Sequence, residues 1–170
     1  MALPSNLKNF NLYNDGNSLM GIADEVTLPK LSRKTEEYQA AGMPFPVDLD
    51  ISNDKIEIDW SCQGFVADVV KQYGAVKVGA NLLRFSGAYQ REDTGDVQAV
   101  EIVVRGRHKE IDFGSAKVGD KTQTKIKTSC SYYKLTVDNA VLIEIDALSM
   151  IFIVNGVDMM EKQRKAIGLA

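Results

Sequence analysis

The stretch Val47-Asp-Leu-Asp-Ile-Ser-Asn-Asp-Lys-Ile-Glu-Ile-Asp-Trp60 alternates Val47, Leu49 and Ile51 with Asp48 and Asp50. After Ser52-Asn-Asp-Lys55 it alternates Ile56, Ile58 and Trp60 with Glu57 and Asp59. Successive side chains of a strand point to opposite faces, so period two is the mark of a half-buried strand. The stretch therefore predicts a β-hairpin with one apolar and one acidic face, and a chain that is mainly β. Downstream, Leu83, Phe85 and Tyr89 precede Arg91-Glu-Asp-Thr-Gly-Asp96, and Val100, Ile102 and Val104 follow it, which predicts a second hairpin. Thr124–Val137, with Ile126, Cys130 and Tyr132, joins Val141, Ile143 and Ile145 across Asp138-Asn-Ala140 as a third.

Between the first two hairpins, Phe65, Val66, Val69, Val70 and Tyr73 recur at helical spacing and Gly74 stands as a stop, predicting a helix within Ser61–Gly74. A second, short helix is expected within Val157–Ala166, ahead of Gly168. Upstream, residues 29–46 are charged at the start and carry Pro44 and Pro46 at the end, which reads as an extended loop. Connections of more than about 12 residues without regular structure are uncommon in compact domains and are often functional.

At 170 residues the chain is expected to be a single domain, 1–170, with an arm at about 29–46. Hydrophobic residues at 45% and charged residues at 25% fit a globular protein rather than a disordered one. Twenty Lys and Arg against 23 Asp and Glu give a net charge of −3, so no general electrostatic drive onto nucleic acid or an anionic membrane is present. Two cysteines, Cys62 and Cys130, make no disulfide framework and no C-x-x-C pair. Met150-Ile-Phe-Ile-Val154 is far shorter than the about 20 apolar residues of a membrane helix. The N-terminus lacks the basic start and apolar run of a secretory signal, so a soluble chain made in the cytosol is expected.

Catalytic and metal-binding patterns fail on inspection. His108 lies in Arg105-Gly-Arg-His-Lys-Glu110, where a charged strand end is expected rather than a proton-transfer site. Asp48, Asp50, Ser52 and Asp54 imitate a calcium loop, but Asn53 stands where glycine is needed and Asp59 where a bidentate glutamate is usual. Cys62 reads as a small packing residue ahead of a helix rather than a nucleophile. Gly114-Ser-Ala-Lys-Val-Gly119 is not followed by the Gly-Lys-Ser/Thr of a phosphate loop. No enzymatic activity and no cofactor are expected. The basic clusters Lys30, Arg33, Lys34 and Arg105, Arg107, Lys109 fit phosphate contact, a solvated face, or ion pairing with the acidic faces at Asp48/Asp50/Glu57/Asp59 and Glu144/Asp146 of another copy. Such complementary surfaces favour head-to-tail association, which closes into rings or continues as filaments.

Five stretches carry a whole-chain resemblance: Asn6-Leu-Lys-Asn-Phe-Asn-Leu-Tyr-Asn-Asp-Gly16, Glu25-Val-Thr-Leu-Pro-Lys-Leu-Ser-Arg-Lys-Thr-Glu-Glu-Tyr38, Arg105-Gly-Arg-His-Lys-Glu-Ile-Asp112, Tyr132-Tyr-Lys-Leu-Thr-Val137, and Ile143-Glu-Ile-Asp146 with Met150-Ile-Phe-Ile-Val-Asn-Gly-Val-Asp158. They resemble the major tail tube proteins of contractile-tailed bacteriophages, a family shared with R-type phage-tail-like bacteriocins. The resemblance implies a mainly β, sandwich or barrel-like subunit with one packed α-helix and a further short helix toward the C-terminus. It implies a structural role: hexameric rings stack into a hollow tube that the surrounding sheath drives through the target envelope, with DNA passing through the lumen in a phage. The partners it implies are further copies of the chain, the sheath, baseplate and tail terminator proteins, a tape measure protein in the lumen, DNA in transit without sequence-specific binding, and the target envelope. The implied location is the tail of a virion or phage-tail-like particle, assembled in the host cytoplasm. The same fold would serve the alternative, the tube of a type VI-like contractile secretion or injection system. By matching position, Lys30, Arg33, Lys34, Glu36, Glu37, Tyr38 and Met43 are the candidate inter-subunit contacts of the arm. The acidic face at Asp48, Asp50, Glu57 and Asp59 is the candidate lumen or ring face, where negative charge would keep a polyanion from sticking.

Overall fold

The computed structural model describes residues 1–169. Its elements are β1 (Ser5–Asn14), β2 (Asn17–Ser18), β3 (Ala23–Thr27), β4 (Arg33–Tyr38), β5 (Val47–Asn53), β6 (Ile56–Gln63), α1 (Ala67–Lys71), a 3-10 turn at Gln72–Gly74, β7 (Asn81–Arg91), β8 (Val97–Asp112), β9 (Gln123–Val137), β10 (Ala140–Asp146), β11 (Ile151–Val154), β12 (Val157–Asp158) and α2 (Glu161–Ala166). The chain is mainly β with a few short helices, as expected, but its large sheet stays open and does not close into a barrel. The strands run β12-β11-β10-β9-β8-β7-β1-β2, with β3 and β6 branching off β9.

The branch follows from strand length. β9 is 15 residues and pairs along most of one edge with the 16-residue β8. Its other edge is shared: Gln123–Cys130 pairs with β6, and Tyr132–Val137 pairs with β10. β6 and β10 therefore diverge from β9 at Ser131. Short turns set the rest of the register. Asp138 and Asn139 both take positive φ, as do Asp15 with Gly16 and Asn155 with Gly156. Two residues of positive φ twist a hairpin in the sense its strands require.

The core lies between the layers so formed. Leu12, Leu83, Phe85, Ile58, Trp60, Ile126, Val104 and Tyr133 are buried there, each on the inward phase of its strand. α1 closes the core by burying Val69. Full burial of an aliphatic or aromatic side chain contributes about 1.5–3 kcal/mol relative to exposure, so this cluster is the main stabilising term.

Two of the three expected hairpins form as expected, β7–β8 and β9–β10. The first does not. Val47–Asn53 pairs with the upstream strand Arg33–Tyr38, while Ile56–Gln63 pairs with β3 and β9. The apolar residues explain the difference: Ile58 and Trp60 are buried, whereas every residue of β5 is exposed. Residues 29–46 are accordingly not a loop throughout, because 33–38 is a strand. The predicted helix within Ser61–Gly74 is shorter than expected, since β6 runs through Gln63 and α1 begins at Ala67. The C-terminal helix starts at Glu161, and Val157–Asp158 is a strand.

Candidate self-assembly surfaces

The hairpin β4–β5 stands apart from the large sheet. Its register pairs Tyr38 with Val47, Glu36 with Leu49, Glu37 with Asp48 and Thr35 with Asp50, and a bulge follows at Lys34. Paired residues share a face. Tyr38, Val47, Leu49 and Ile51 thus share one mostly apolar face, which also carries Glu36 opposite Leu49, and Glu37, Asp48 and Asp50 form an acidic one. Arg33 reaches Asp50 at 3.1 Å, with both side chains more than half exposed, so the pair adds little stability. At the tip, Gln39 Nε2 donates to the Met43 carbonyl at 3.1 Å and the Ala40 N–H donates to Met43 Sδ at 3.2 Å. Met43 consequently ties its own turn together and is half-buried. Lys30, Lys34, Glu36, Glu37 and Tyr38 are exposed.

The four carboxylates expected on one face are divided between two. Asp48 and Asp50 lie on the hairpin, and Glu57 and Asp59 lie on β6 within the large sheet. There a charged surface runs across four strands. One row is Thr27, Asp59, Lys127 and Glu110; the next is Glu25, Ser61, Lys125 and Asp112; a third joins Glu57 to Ser129 and Arg107. Glu57 bridges to Lys55 at 2.9 Å and Lys109 at 3.2 Å. The hydrogen bond from Lys55 holds its carboxyl below the usual range, with Lys109 adding to the effect and partial burial opposing it. Glu110, Asp112, Lys125 and Lys127 were not singled out from the sequence. Lys125 and Lys127 alternate with buried Thr124, Ile126 and Thr128, a readable signal. Glu110 and Asp112 are out of phase with His108 because a register shift intervenes at Lys109.

His108 is not a solvated strand end: it is 4% exposed. Its Nε2 lies 2.8 Å from Gln72 Oε1 and its Nδ1 2.9 Å from Thr128 Oγ1. Gln72 Nε2 donates to Asp15 Oδ2 at 2.6 Å, and Trp60 Nε1 donates to Thr128 Oγ1 at 3.2 Å. The network ties the turn after α1 to the core. Cys62 is fully buried and its thiol is pushed up to about 11 by desolvation, the reverse of what a nucleophile needs. Glu144 accepts a hydrogen bond from the Tyr132 hydroxyl at 3.0 Å, and Asp146 caps the turn at Leu148 at 3.0 Å. Arg107 donates to the Val76 carbonyl at 3.1 Å.

An apolar cleft of about 450 Å³ opens where β6 and β10 part from β9. Ile56, Cys130, Ile143, Ile145, Phe152 and Met160 are among its lining residues. α2 is held beside it by Arg164, which pairs with Asp158 and donates to the Met150 carbonyl at 2.6 Å.

Comparison with known proteins follows this end-to-end pattern. The family described as "Phage tail tube protein FII" matches residues 4–168. The tail tube protein of Escherichia phage P2 is 49% identical over 172 aligned positions, covering 99% of this chain and 100% of that protein. The major tail tube protein of Serratia phage KSP20 is 39% identical over 154 positions, covering 89% of this chain and 88% of that protein. Among solved structures, the sheath/tube terminator of an extracellular contractile injection system matches with a TM-score of 0.59 at 13% identity, over 78% of this chain and 96% of that one. A chain of the same system's sheath–tube complex matches equally well, over 78% of this chain and 91% of that one. At such identity these two likenesses show a shared fold.

Proposed function

The chain belongs to the phage tail tube protein FII family, and from that premise we propose that it builds its tube by head-to-tail association of the β4–β5 hairpin with neighbouring copies. As a tail tube protein it is a structural component of a virion tail or phage-tail-like particle. The observation that carries the assembly reading is the hairpin itself: every strand residue from Arg33 to Tyr38 and from Val47 to Asn53 is exposed. A two-stranded hairpin is marginal alone in water, so its apolar face calls for a partner.

The assembly consists of hexameric rings stacked into a hollow tube, with the residues 29–46 arm reaching the next copy through Lys30, Arg33, Lys34, Glu36, Glu37 and Tyr38. Met43 shapes the arm's tip. Glu57 and Asp59, joined by Glu25, Glu110 and Asp112, face the lumen. Asp48 and Asp50 belong to the arm. DNA and a tape measure protein occupy the lumen and the sheath lies outside, with no catalytic step assigned to the chain. The fold shared with the extracellular injection system supports one alternative, a type VI-like secretion or injection tube. Neighbouring tape measure and baseplate genes, rather than secretion genes, would decide for the tail.

Negative-stain electron microscopy across a concentration series, paired with light scattering, tests the proposal. Hollow tubes are expected from the unsubstituted chain. Arg33→Glu and Glu36→Lys are expected to reduce tube yield while leaving the thermal transition of the monomer unchanged. Tubes in undiminished yield from both variants would remove the arm from the interface.

A further inference from the structure

We infer that residues 65–80, which carry α1 and the 3-10 turn, form an acid-released flap: the segment lifts from the sheet as a unit between Gly64 and Asn81, and His108 takes up the proton that releases it. The device belongs to a single copy and works whether or not tubes form.

The flap is separable because the sheet holds the chain only on either side of it. The Gly64 N–H donates to the Thr122 carbonyl at 2.7 Å, and the Gly64 carbonyl accepts from the Thr124 hydroxyl at 3.0 Å. The sheet takes hold again at Asn81, where β7 begins. Between these points Val69 is the single buried residue, while Phe65, Tyr73 and Val76 are 67%, 58% and 87% exposed. α1 has five residues and no side-chain cap, far short of the about 12–15 residues at which an isolated helix becomes marginal. Elements with so little buried apolar surface open locally while the rest of the molecule stays folded.

What keeps the flap closed is a polar node centred on Gln72. β7 pairs with β8 only as far as Gly106, so beyond that point the 3-10 turn, rather than a strand, covers the His108 ring. Gln72 meets His108 Nε2 at 2.8 Å and donates to Asp15 Oδ2 at 2.6 Å, and Asp15 Oδ1 accepts from the Leu82 N–H at 2.9 Å. At the rim, Arg107 holds the Val76 carbonyl and Phe65 stacks on Phe113 with ring centres 5.8 Å apart. At the same end of the core, Asn14 Oδ1 and Asn81 Nδ2 are buried with no hydrogen-bond partner among the described residues. Water admitted by opening would satisfy both, so the closed form carries a cost that the opened form does not.

Asp15 is the charged group that acts on the ring. Trp60 of β6, Thr128 of β9 and Gln72 are neutral, and Glu57, Asp59 and Lys127 alternate to the other face of their strands. On α1, Asp68 and Lys71 pair with each other in solvent at 3.7 Å. Arg107 and Lys109 are engaged by the Val76 carbonyl and Glu57. With the flap closed, burial outweighs the Asp15 carboxylate and holds His108 down to about 4; with it open, the ring is wet and protonates near the ordinary value of about 6.5. Opening is therefore independent of pH above about 6.5, grows more favourable below it, and levels off below about 4. Between pH 7.5 and pH 4.5 the opening constant rises about 70-fold.

Native-state hydrogen exchange on the full chain, corrected for the pH dependence of intrinsic exchange, tests this at the amides of Val70, Gln72 and Ala75, which are bonded within the flap. Their protection should fall by about 70-fold from pH 7.5 to pH 4.5 and should not respond to low urea. Amides paired between β8 and β9 should be far better protected and should respond to urea. In His108→Gln the pH response of the flap should vanish. Gln72→Ala, which leaves the sheet untouched, should lower flap protection by about tenfold already at pH 7.5. Flap amides with the same protection and the same urea response as the β8–β9 amides would show that the segment opens only with the whole molecule, and would overturn the flap. A pH response that survives in His108→Gln, or flap protection unchanged in Gln72→Ala, would overturn the node as its latch.

Discussion

At the scale of single residues, the clearest physical statement concerns His108. Gln72 presents its Oε1 to the ring, because its Nε2 is committed to Asp15, so His108 Nε2 must carry a proton. Nδ1 then accepts from the Thr128 hydroxyl, whose oxygen accepts in turn from Trp60. A neutral imidazole satisfies every link. A proton at Nδ1 would make the Thr128 hydroxyl accept from both His108 and Trp60, turn its own proton away from the ring, and place a cation in a buried site. Desolvation accordingly pushes His108 down to about 4, although the nearby Asp15 carboxylate pulls the other way. The unfolded chain takes up this proton near the ordinary value of about 6.5, ahead of the folded one. Stability from this residue is therefore complete above about pH 6.5 and falls as pH drops toward about 4, by about 3 kcal/mol in all. Urea denaturation followed through Trp60, the single tryptophan, should show that loss between pH 7 and pH 4. His108→Gln, less stable at pH 7, should lack the His108 share of the slope; an unchanged slope would contradict the assignment.

At the scale of elements, β8 stays paired to β9 along its length only by shifting register twice, and the first shift is at Gly106. A Cβ built there would fall 2.0 Å from the Ser129 carbonyl oxygen, which is backbone and cannot step aside. Gly106→Ala should thus cost about 3 kcal/mol or more, beyond ordinary overpacking, and lower the melting temperature clearly. A neutral result would mean the bulge relaxes freely. The same elements show what was legible in advance. β7–β8 and β9–β10 could be read because each pairs neighbouring runs across a turn rich in Gly, Asp or Asn, with one face buried. β5 was assigned the wrong partner because Arg33-Lys-Thr-Glu-Glu-Tyr38 is exposed on both faces and so carries no period-two signal. The apolar alternation of Val47, Leu49 and Ile51 was real, but it marks a surface without an intramolecular partner rather than a core strand. The expected helix within Ser61–Gly74 reaches too far back because Phe65 and Val66 share the helical spacing of Val69, Val70 and Tyr73, whereas the backbone through Gln63 is held by β9 and α1 begins only at Ala67. The cleft had no sequence signal at all, since it arises from the divergence of β6 and β10.

At the scale of the whole molecule, a nearly neutral chain interleaves acids and bases on one broad surface. Around the β3–β6–β9–β8 surface, Glu25, Glu57, Asp59, Glu110 and Asp112 surround Arg107, Lys125 and Lys127. Each of the two lysines is flanked across the strands by carboxylates or a serine, so no run of cations is left for a phosphate backbone to follow. Duplex DNA binds where cations release its condensed counterions, and affinity falls steeply with salt. A lumen with this surface would let a polyanion move without being held. Replacing the flanking acids by their amides, Glu25→Gln, Asp59→Asn, Glu110→Gln and Asp112→Asn, leaves Arg107, Lys125 and Lys127 facing only Glu57. Tubes of that variant should retain duplex DNA at low salt and release it as salt rises, whereas tubes of the unsubstituted chain should retain none at either. Co-sedimentation of labelled DNA with the tubes reads the difference. DNA retained only on the outside, and removed by nuclease without tube disassembly, would place this surface away from the lumen and leave the acidic hairpin face at Asp48 and Asp50 as the alternative lining.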